Sequence, residues 1–196
     1  MSDTEQTKMR IGCIIMASGR SRRFGKNKLL QEIGGRSLIE LILETTAGTL
    51  FDERVVVTRS EEVAEICNAQ KVPVILHNLP NRNDTVRLGT EFLKEMDGWV
   101  FSPCDQPLLK RKSLENLVSV QPMQENLIRR LHWKERLGTP VFFGKQYYEE
   151  LCSLPEKCGG SDIIKRHLDK VTLVGVSDER ELWDLDTQED LQLFEK

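Results

Sequence analysis

The chain has 196 residues, with 28 Lys and Arg against 31 Asp and Glu for a net charge of -3, and 39% of its residues are hydrophobic. That length suits one domain burying roughly 70% of its unfolded surface, and the composition has no disorder signature. The near balance of charge argues against a nucleic-acid-coating role, and no apolar run nears the roughly 18–20 residues of a membrane helix.

Residues 1–8 read as a polar, frayed tail. Ile11–Met16 is a continuous apolar run, the mark of a strand buried on both faces, and Ala17–Asn27 is a Gly/Ser/Arg loop. Ser37 with Glu40 forms a capping box that opens a helix over Leu38–Thr49. Arg54–Thr58 is β-branched and strand-like, Ser60 caps a helix to about Ala69, and Pro73–His77 is a further short strand. Asp84 or Thr85 caps a helix that sends Val86, Leu88, Phe92, Leu93 and Met96 to the core. Trp99–Ser102 is a strand stopped by Pro103. The later part is less regular: helix Leu114–Val120, strand Asn126–His132, a Gly138 turn, strand Pro140–Phe143, helices Lys145–Leu154 and Asp162–Leu168, strand Val171–Val176 and closing helix Thr187–Phe194. Alternating strands and helices imply an α/β fold with a mostly parallel, doubly wound sheet in three layers.

The start has no apolar signal region. The five cysteines are odd in number and widely spaced, without a CxxC pair, which is poor material for a zinc site or a disulfide framework. Both features favour a cytoplasmic setting.

The segment IIMASGRSRRFGKNKLL, Ile14–Leu30, carries the chemistry. A buried strand runs into Ala17, Ser18 and Gly19, whose small side chains let backbone N–H groups approach an anion. Arg20, Arg22, Arg23, Lys26 and Lys28 follow with no acidic residue among them. Five cations at the carboxyl end of the first strand of an α/β sheet suit a polyphosphate. The spacing fits neither a Walker A loop nor G-x-G-x-x-G. Across the chain, Asp105 ends the Trp99–Ser102 strand through Pro103 and Cys104. A carboxylate placed there opposite cations suits magnesium, which takes few carboxylates and completes its shell with phosphate oxygens and water.

Met16, Ala17, Ser18, Gly19, Ser21, Arg23, Phe24, Gly25 and Lys28 fall without a gap on the signature L-A-A-G-x-S-x-R-[FM]-G-x-x-K. The loop resembles that of the MobA/MocA-like nucleotidyltransferases, and with it a Rossmann-like GT-A-type fold is implied. The resemblance implies a loop that embraces a triphosphate, with Arg23 and Lys28 on phosphates and Ala17, Ser18, Gly19 and Ser21 around the nucleotide. Asp105 falls on the family's D-x-P motif, whose Asp holds the metal. Asp184-Leu185-Asp186-Thr187-Gln188-Glu189-Asp190-Leu191 is similar to D-[IVL]-D-T-P-E-D-L, which makes Asp186 a second metal ligand, although Asp186 or Thr187 would equally serve as a helix cap. Thr85 stands at a nucleotide-side hydroxyl position, and Gly138–Phe143 resembles the acceptor segment G-x-P-x-x-F. The pattern G-D-x-G-A-R is broken, with Lys157 in place of Asp and Ser161 in place of Arg.

The implied activity is magnesium-dependent transfer of a nucleotide to molybdopterin, with CTP favoured as donor over GTP and pyrophosphate released. A molybdoenzyme or maturation protein is a further partner to consider. The alternatives are a sugar- or alditol-phosphate nucleotidyltransferase on the same fold and a non-catalytic nucleotide-binding protein.

Overall fold

A computed structural model describes residues 9–19, 24–25, 27–119 and 127–194. Val120 and Asn126, expected to end a helix and begin a strand, lie outside them. The framework is a seven-stranded sheet. Four of its strands, β1 (Ile11–Ala17), β4 (Glu53–Thr58), β5 (Val74–Leu76) and β6 (Gly98–Pro103), lie parallel in the spatial order β5-β4-β1-β6. Beyond β6 come β8 (Arg136–Gly144), antiparallel to its neighbours, then β7 (Ile128–Trp133) and β9 (Val171–Gly175), giving the order β6-β8-β7-β9. Two short strands, β2 (Glu32–Ile33) and β3 (Arg36–Ser37), form a separate hairpin. The doubly wound, mostly parallel α/β architecture is as the sequence implied.

The helices cover both faces. On one, α1 (Leu38–Thr45), α2 (Glu61–Ala69) and α4 (Arg111–Ser119) bury Ile39, Ile42, Val63, Leu114 and Leu117 against Ile15 and Val56 of the sheet. On the other, α3 (Arg82–Phe92), α5 (Tyr148–Cys152) and α6 (Gly160–Arg166) bury Val86, Leu151 and Ile163 against Ile14, Phe101 and Phe143. Each fully buried side chain of this kind contributes about 1.5–3 kcal/mol. The switch of faces explains why β1 is apolar at nearly every position: Ile15 feeds one core and Ile14 the other. Gly89 lets α3 sit close on β1, since a Cβ there would stand 2.5 Å from Ile14 Cγ2.

Several boundaries differ from the sequence reading, each for a local reason. The capping box of α1 forms, with Ser37 N–H donating to Glu40 Oε2 at 2.8 Å, but the helix stops at Thr45 before Gly48, whose φ is +76°. Helix α3 begins at Arg82 rather than after Asp84 or Thr85; Asp84 instead accepts a hydrogen bond from Asn81 N–H at 3.1 Å. The buried stripe of α3 is then Val86, Gly89 and Thr90, continuing to Leu93, and Phe92 is 51% exposed instead of in the core. Gly138 lies inside β8, not in a turn; the hairpin reverses at Lys134 and Glu135 between the paired residues Trp133 and Arg136. The expected helix Lys145–Leu154 is a 3₁₀ turn, Lys145–Tyr147, followed by α5. The expected closing helix shrinks to α7 (Leu191–Phe194).

All five cysteines are unpaired thiols. Burial pushes Cys13 up to about 12 and Cys67 up to about 11, and burial with the Asp105 charge lifts Cys104 well above its ordinary value. At about pH 7.5 a thiol titrating near 12 is only ~3 × 10⁻⁵ ionised, and the thiolate is the nucleophile. We therefore expect DTNB to modify the half-exposed Cys152 and Cys158 in the native protein and all five thiols only in denaturant. Fast reaction of a third thiol in the native state would contradict the packing described.

Candidate functional site

Three parallel strands end side by side. Ala17 is in register with Thr58 and Met16 with Pro103, so β1, β4 and β6 deliver their carboxyl ends to one edge. The chain leaves β1 for β4 on one side, while β6 lies on the other, which makes this edge the switch point of a doubly wound sheet and the place where a crevice opens. Because β8 runs the other way, its early residue Thr139 reaches the same crevice. The cavity there has a volume of about 500 Å³, within the usual range for a small-molecule site. Gly19, Thr85, Asp105, Thr139 and Asp184 are among its walls.

At one end of the crevice a cation and carboxylates converge from remote segments. Phe24 is buried against Leu38, Leu185 and Phe194, and its carbonyl accepts from Gln188 Nε2 at 3.3 Å, so the loop after β1 is fastened to the C-terminal segment. Leu185 N–H donates to the Asp105 carbonyl at 2.8 Å, fastening that segment to the end of β6. Between them Lys28 opens a 3₁₀ turn whose Leu29 N–H is capped by Asn27 Oδ1. Lys28 Nζ donates to Asp105 Oδ2 at 2.7 Å, to the Leu185 carbonyl at 3.0 Å and to Asp186 Oδ1 at 3.3 Å. Burial alone would weaken the proton affinity of this ammonium, yet Asp105 and Asp186 outweigh it and raise the Lys28 pKa. Asp184 stands beside this group: burial and the Asp105 charge raise its pKa, opposed by a 2.9 Å bond from Gln106 Nε2.

Asp186 lies ahead of α7 (Leu191–Phe194) rather than at its start, and its carboxylate accepts from Lys28; its own N–H and that of Thr187 donate to Asp190 Oδ2 at 2.9 and 2.8 Å, which ties the turn before the helix. Asp105 and Asp186 thus both pair with Lys28. That donor set fits a hard cation such as magnesium, which needs only one or two protein carboxylates when phosphates complete its shell. Among the described residues no group of three or more His, Cys, Asp or Glu is placed to hold a metal by itself.

At the carboxyl end of β1, on the β4 side of the crevice, Ser18 is tied into the sheet edge. His77 Nδ1 accepts from Leu79 N–H at 3.2 Å, so the ring proton resides on Nε2 and donates to Ser18 Oγ at 2.9 Å; the serine hydroxyl in turn donates to the Val57 carbonyl at 2.9 Å. Burial and the Arg59 charge lower the His77 pKa, which keeps the ring neutral. Arg59 also donates to the Ser18 carbonyl. The hydroxyl of Ser18 is therefore committed inward, and the strand end presents its backbone and Gly19 to the cavity.

Of the residues expected at the site, the structure brings together Lys28, Asp105 and Asp186, and places Ser18, Gly19 and Thr85 along the cavity, with Ala17 closing β1 just behind it. Ser21 and Arg23, like Arg20, Arg22 and Lys26, lie outside the described residues. Cys104 is buried beneath the site. Gly138 serves packing, since a Cβ there would meet Leu182 Cδ2 at 2.7 Å. The sequence reading missed Gln106, whose amide donates both to Thr139 Oγ1 and to Asp184 at 2.9 Å, and Arg59. Gln106 carried a signal as the middle residue of Asp105-Gln106-Pro107, whereas Arg59 had only its position just past the carboxyl end of β4.

The MobA-like NTP transferase domain matches residues 13–171, most of the chain. The chain belongs to this family. It is 36% identical over 104 residues to a probable molybdenum cofactor guanylyltransferase of Aquifex aeolicus, covering 52% of this chain and 49% of that one. The chain thus spans about half the length of the curated relatives it matches. Among solved structures, a nucleotidyl transferase from Methanothermobacter thermautotrophicus superposes with a TM-score of 0.82 at 19% identity, over 96% of this chain and 97% of that one. A Mycobacterium tuberculosis protein solved in complex with manganese gives 0.76 at 19% identity, over 95% and 98%. At these identities the structural matches bear on fold alone.

Proposed function

We propose that this member of the MobA-like family transfers a nucleotidyl group from a nucleoside triphosphate to the terminal phosphate of molybdopterin. The observation that carries the reading is the convergence of Lys28, Asp105 and Asp186 at the switch-point cavity. A phosphate oxygen of the acceptor attacks the α-phosphorus, the bond to the β-phosphate oxygen breaks, and pyrophosphate leaves. The nucleophile is already an anion, so alignment and charge neutralisation carry the catalysis and no general base is needed. Asp105 and Asp186 are the residues that would hold magnesium, which when bound neutralises the triphosphate. Lys28 supplies a mobile point charge for phosphate oxygens and the Gly19 backbone borders the crevice; in this reading Arg23 adds a planar charge, and Ala17, Ser18 and Ser21 belong to the nucleotide-binding loop. Gln106 orients Thr139 and Asp184 at the junction with the acceptor.

The name of the Aquifex relative favours GTP as donor. By resemblance, Asp105-Gln106-Pro107 and the Gly138–Phe143 segment lean toward the CTP-using branch and Pro103-Cys104-Asp105 toward the GTP-using one; Gln106 reaches across the crevice to Thr139. Purified protein incubated with magnesium, molybdopterin and each of GTP, CTP, ATP and UTP is expected to release pyrophosphate with one of the first two. Turnover with a sugar phosphate and none with molybdopterin would move the acceptor assignment. Magnesium-dependent nucleotide binding without any product would leave a non-catalytic binder.

A further inference from the structure

Beyond the triphosphate end, the crevice continues as a second, narrower cleft toward β8 and β7. The two spaces share Met16, Arg82 and Thr139. The walls of the cleft are apolar, formed by Val86, Phe101, Val141 and Phe143, with Ser161 also lining it. Two arginines line it, Arg130 half-buried and Arg82 exposed at its mouth. Alternation along β7 puts Arg130 on the same face as the buried Ile128, opposite to Leu131. Arg130 spends one donor, Nε, on the Gly138 carbonyl at 2.9 Å. Arg82, the first residue of α3, lies over Gly159, where a Cβ would stand 3.5 Å from its Cδ and Nε. Among the described residues neither arginine has a carboxylate partner, in contrast to Arg87, Arg166 and Arg180. Arg130 is half-buried, and its loss of water lowers its proton affinity with no neighbouring anion to offset it.

For Arg130 a desolvated guanidinium without a counter-ion is costly, and a bound anion relieves that cost; the exposed Arg82 adds a charge at the mouth of the cleft. The cleft encloses only about 60 Å³, so its apolar walls suit the edge of an apolar or flat body whose remainder lies in the larger crevice that it joins. The cleft also lies on the β6-β8-β7 side of the crevice, away from Lys28 and Gly19. We propose that Arg82 and Arg130 form the anion-binding pair of an acceptor subsite, selecting a phosphate monoester carried on an apolar or planar body. Arg82, which borders both spaces, orients the attacking phosphate at their junction, and Arg130 anchors the ligand from the far side. This rests on the nucleotidyl-transfer reading for its role, but the anion subsite itself is tested without a nucleotide.

The test titrates the full-length protein with phenyl phosphate and, separately, inorganic phosphate, followed by protein-observed NMR, with magnesium GTP and CTP titrations in parallel. Phenyl phosphate should bind more tightly than inorganic phosphate. Arg130→Gln and Arg82→Gln should each weaken phenyl phosphate about tenfold or more, while Arg130→Lys, which keeps the charge, loses less and controls for folding. Arg130→Gln should leave nucleotide affinity within about threefold, a split that a merely structural arginine would not give. If wild-type protein fails to bind phenyl phosphate, or if both glutamine variants bind it within about threefold of wild type, the anion pair is refuted. Absence of nucleotide binding by the wild type would instead overturn the nucleotidyl-transfer reading, while the phenyl phosphate titrations alone would still decide for or against the arginine pair.

Discussion

Asp105→Asn is expected to reduce pyrophosphate release about 10²–10³-fold, the cost of removing one charged stabilising contact from a preorganised site. Asp105 is the nearest partner of Lys28, at 2.7 Å, and it stands at the carboxyl end of β6 where the crevice opens. The amide keeps the volume but cannot carry the charge. The fold should persist, because Lys28 retains the Leu185 carbonyl and Asp186 and because the backbone bond from Leu185 to the Asp105 carbonyl does not involve the side chain. Far-UV circular dichroism checks the fold, and steady-state kinetics with magnesium and the preferred nucleotide checks the loss. Asp178→Asn serves as the control, since Asp178 pairs with Arg180 at the surface. Activity within about tenfold of wild type would remove Asp105 from the catalytic group.

The second large effect is on stability. Glu181 is completely buried, yet it is not at the site. One carboxylate oxygen accepts from Ser177 N–H at 3.1 Å and Ser177 Oγ at 2.8 Å; the other accepts from Ser113 Oγ and from Lys110 N–H at 3.2 Å. Lys110 Nζ lies 3.7 Å away. A single carboxylate thus ties the start of α4 to the turn after β9. Glu181→Ala strands these donors in a closed space and should cost about 3 kcal/mol. For a domain of this size that lowers Tm by roughly 6–12 °C. Glu181→Gln keeps the shape and part of the bonding and should fall between. Calorimetry measures the difference, and a Tm change under about 2 °C for the alanine variant would show that the network contributes little.

Features set by neighbours in sequence were legible from the sequence. The all-apolar β1, the capping box at Ser37 and Glu40, and the helix start at Ser60 follow from local rules, and each appears in the structure. Asp105 was legible for a related reason: a carboxylate directly after a buried strand has few other uses. Residues whose role is set by a distant partner were not. Lys28 finds its carboxylates 77 and 158 positions away, so the loop reads in sequence as an open cation and in the fold as one already paired. Gly138 looks like a turn residue until Leu182 packs against it. Phe92 looks like core until the earlier start of α3 sets the face. Ser161 reads as a missing cation, while Arg82 from another helix lies against the adjoining Gly159.

Lys28 also makes the resting site a filled ion-exchange position. Its ammonium pairs with both Asp105 and Asp186 and offsets one of their two charges, so a cation that binds those carboxylates competes with it. The charge released is not lost to solvent. It stays on a four-carbon tether at the edge of the crevice, where it meets the next anion that enters. One side chain therefore couples the two carboxylates to the anion that the crevice takes.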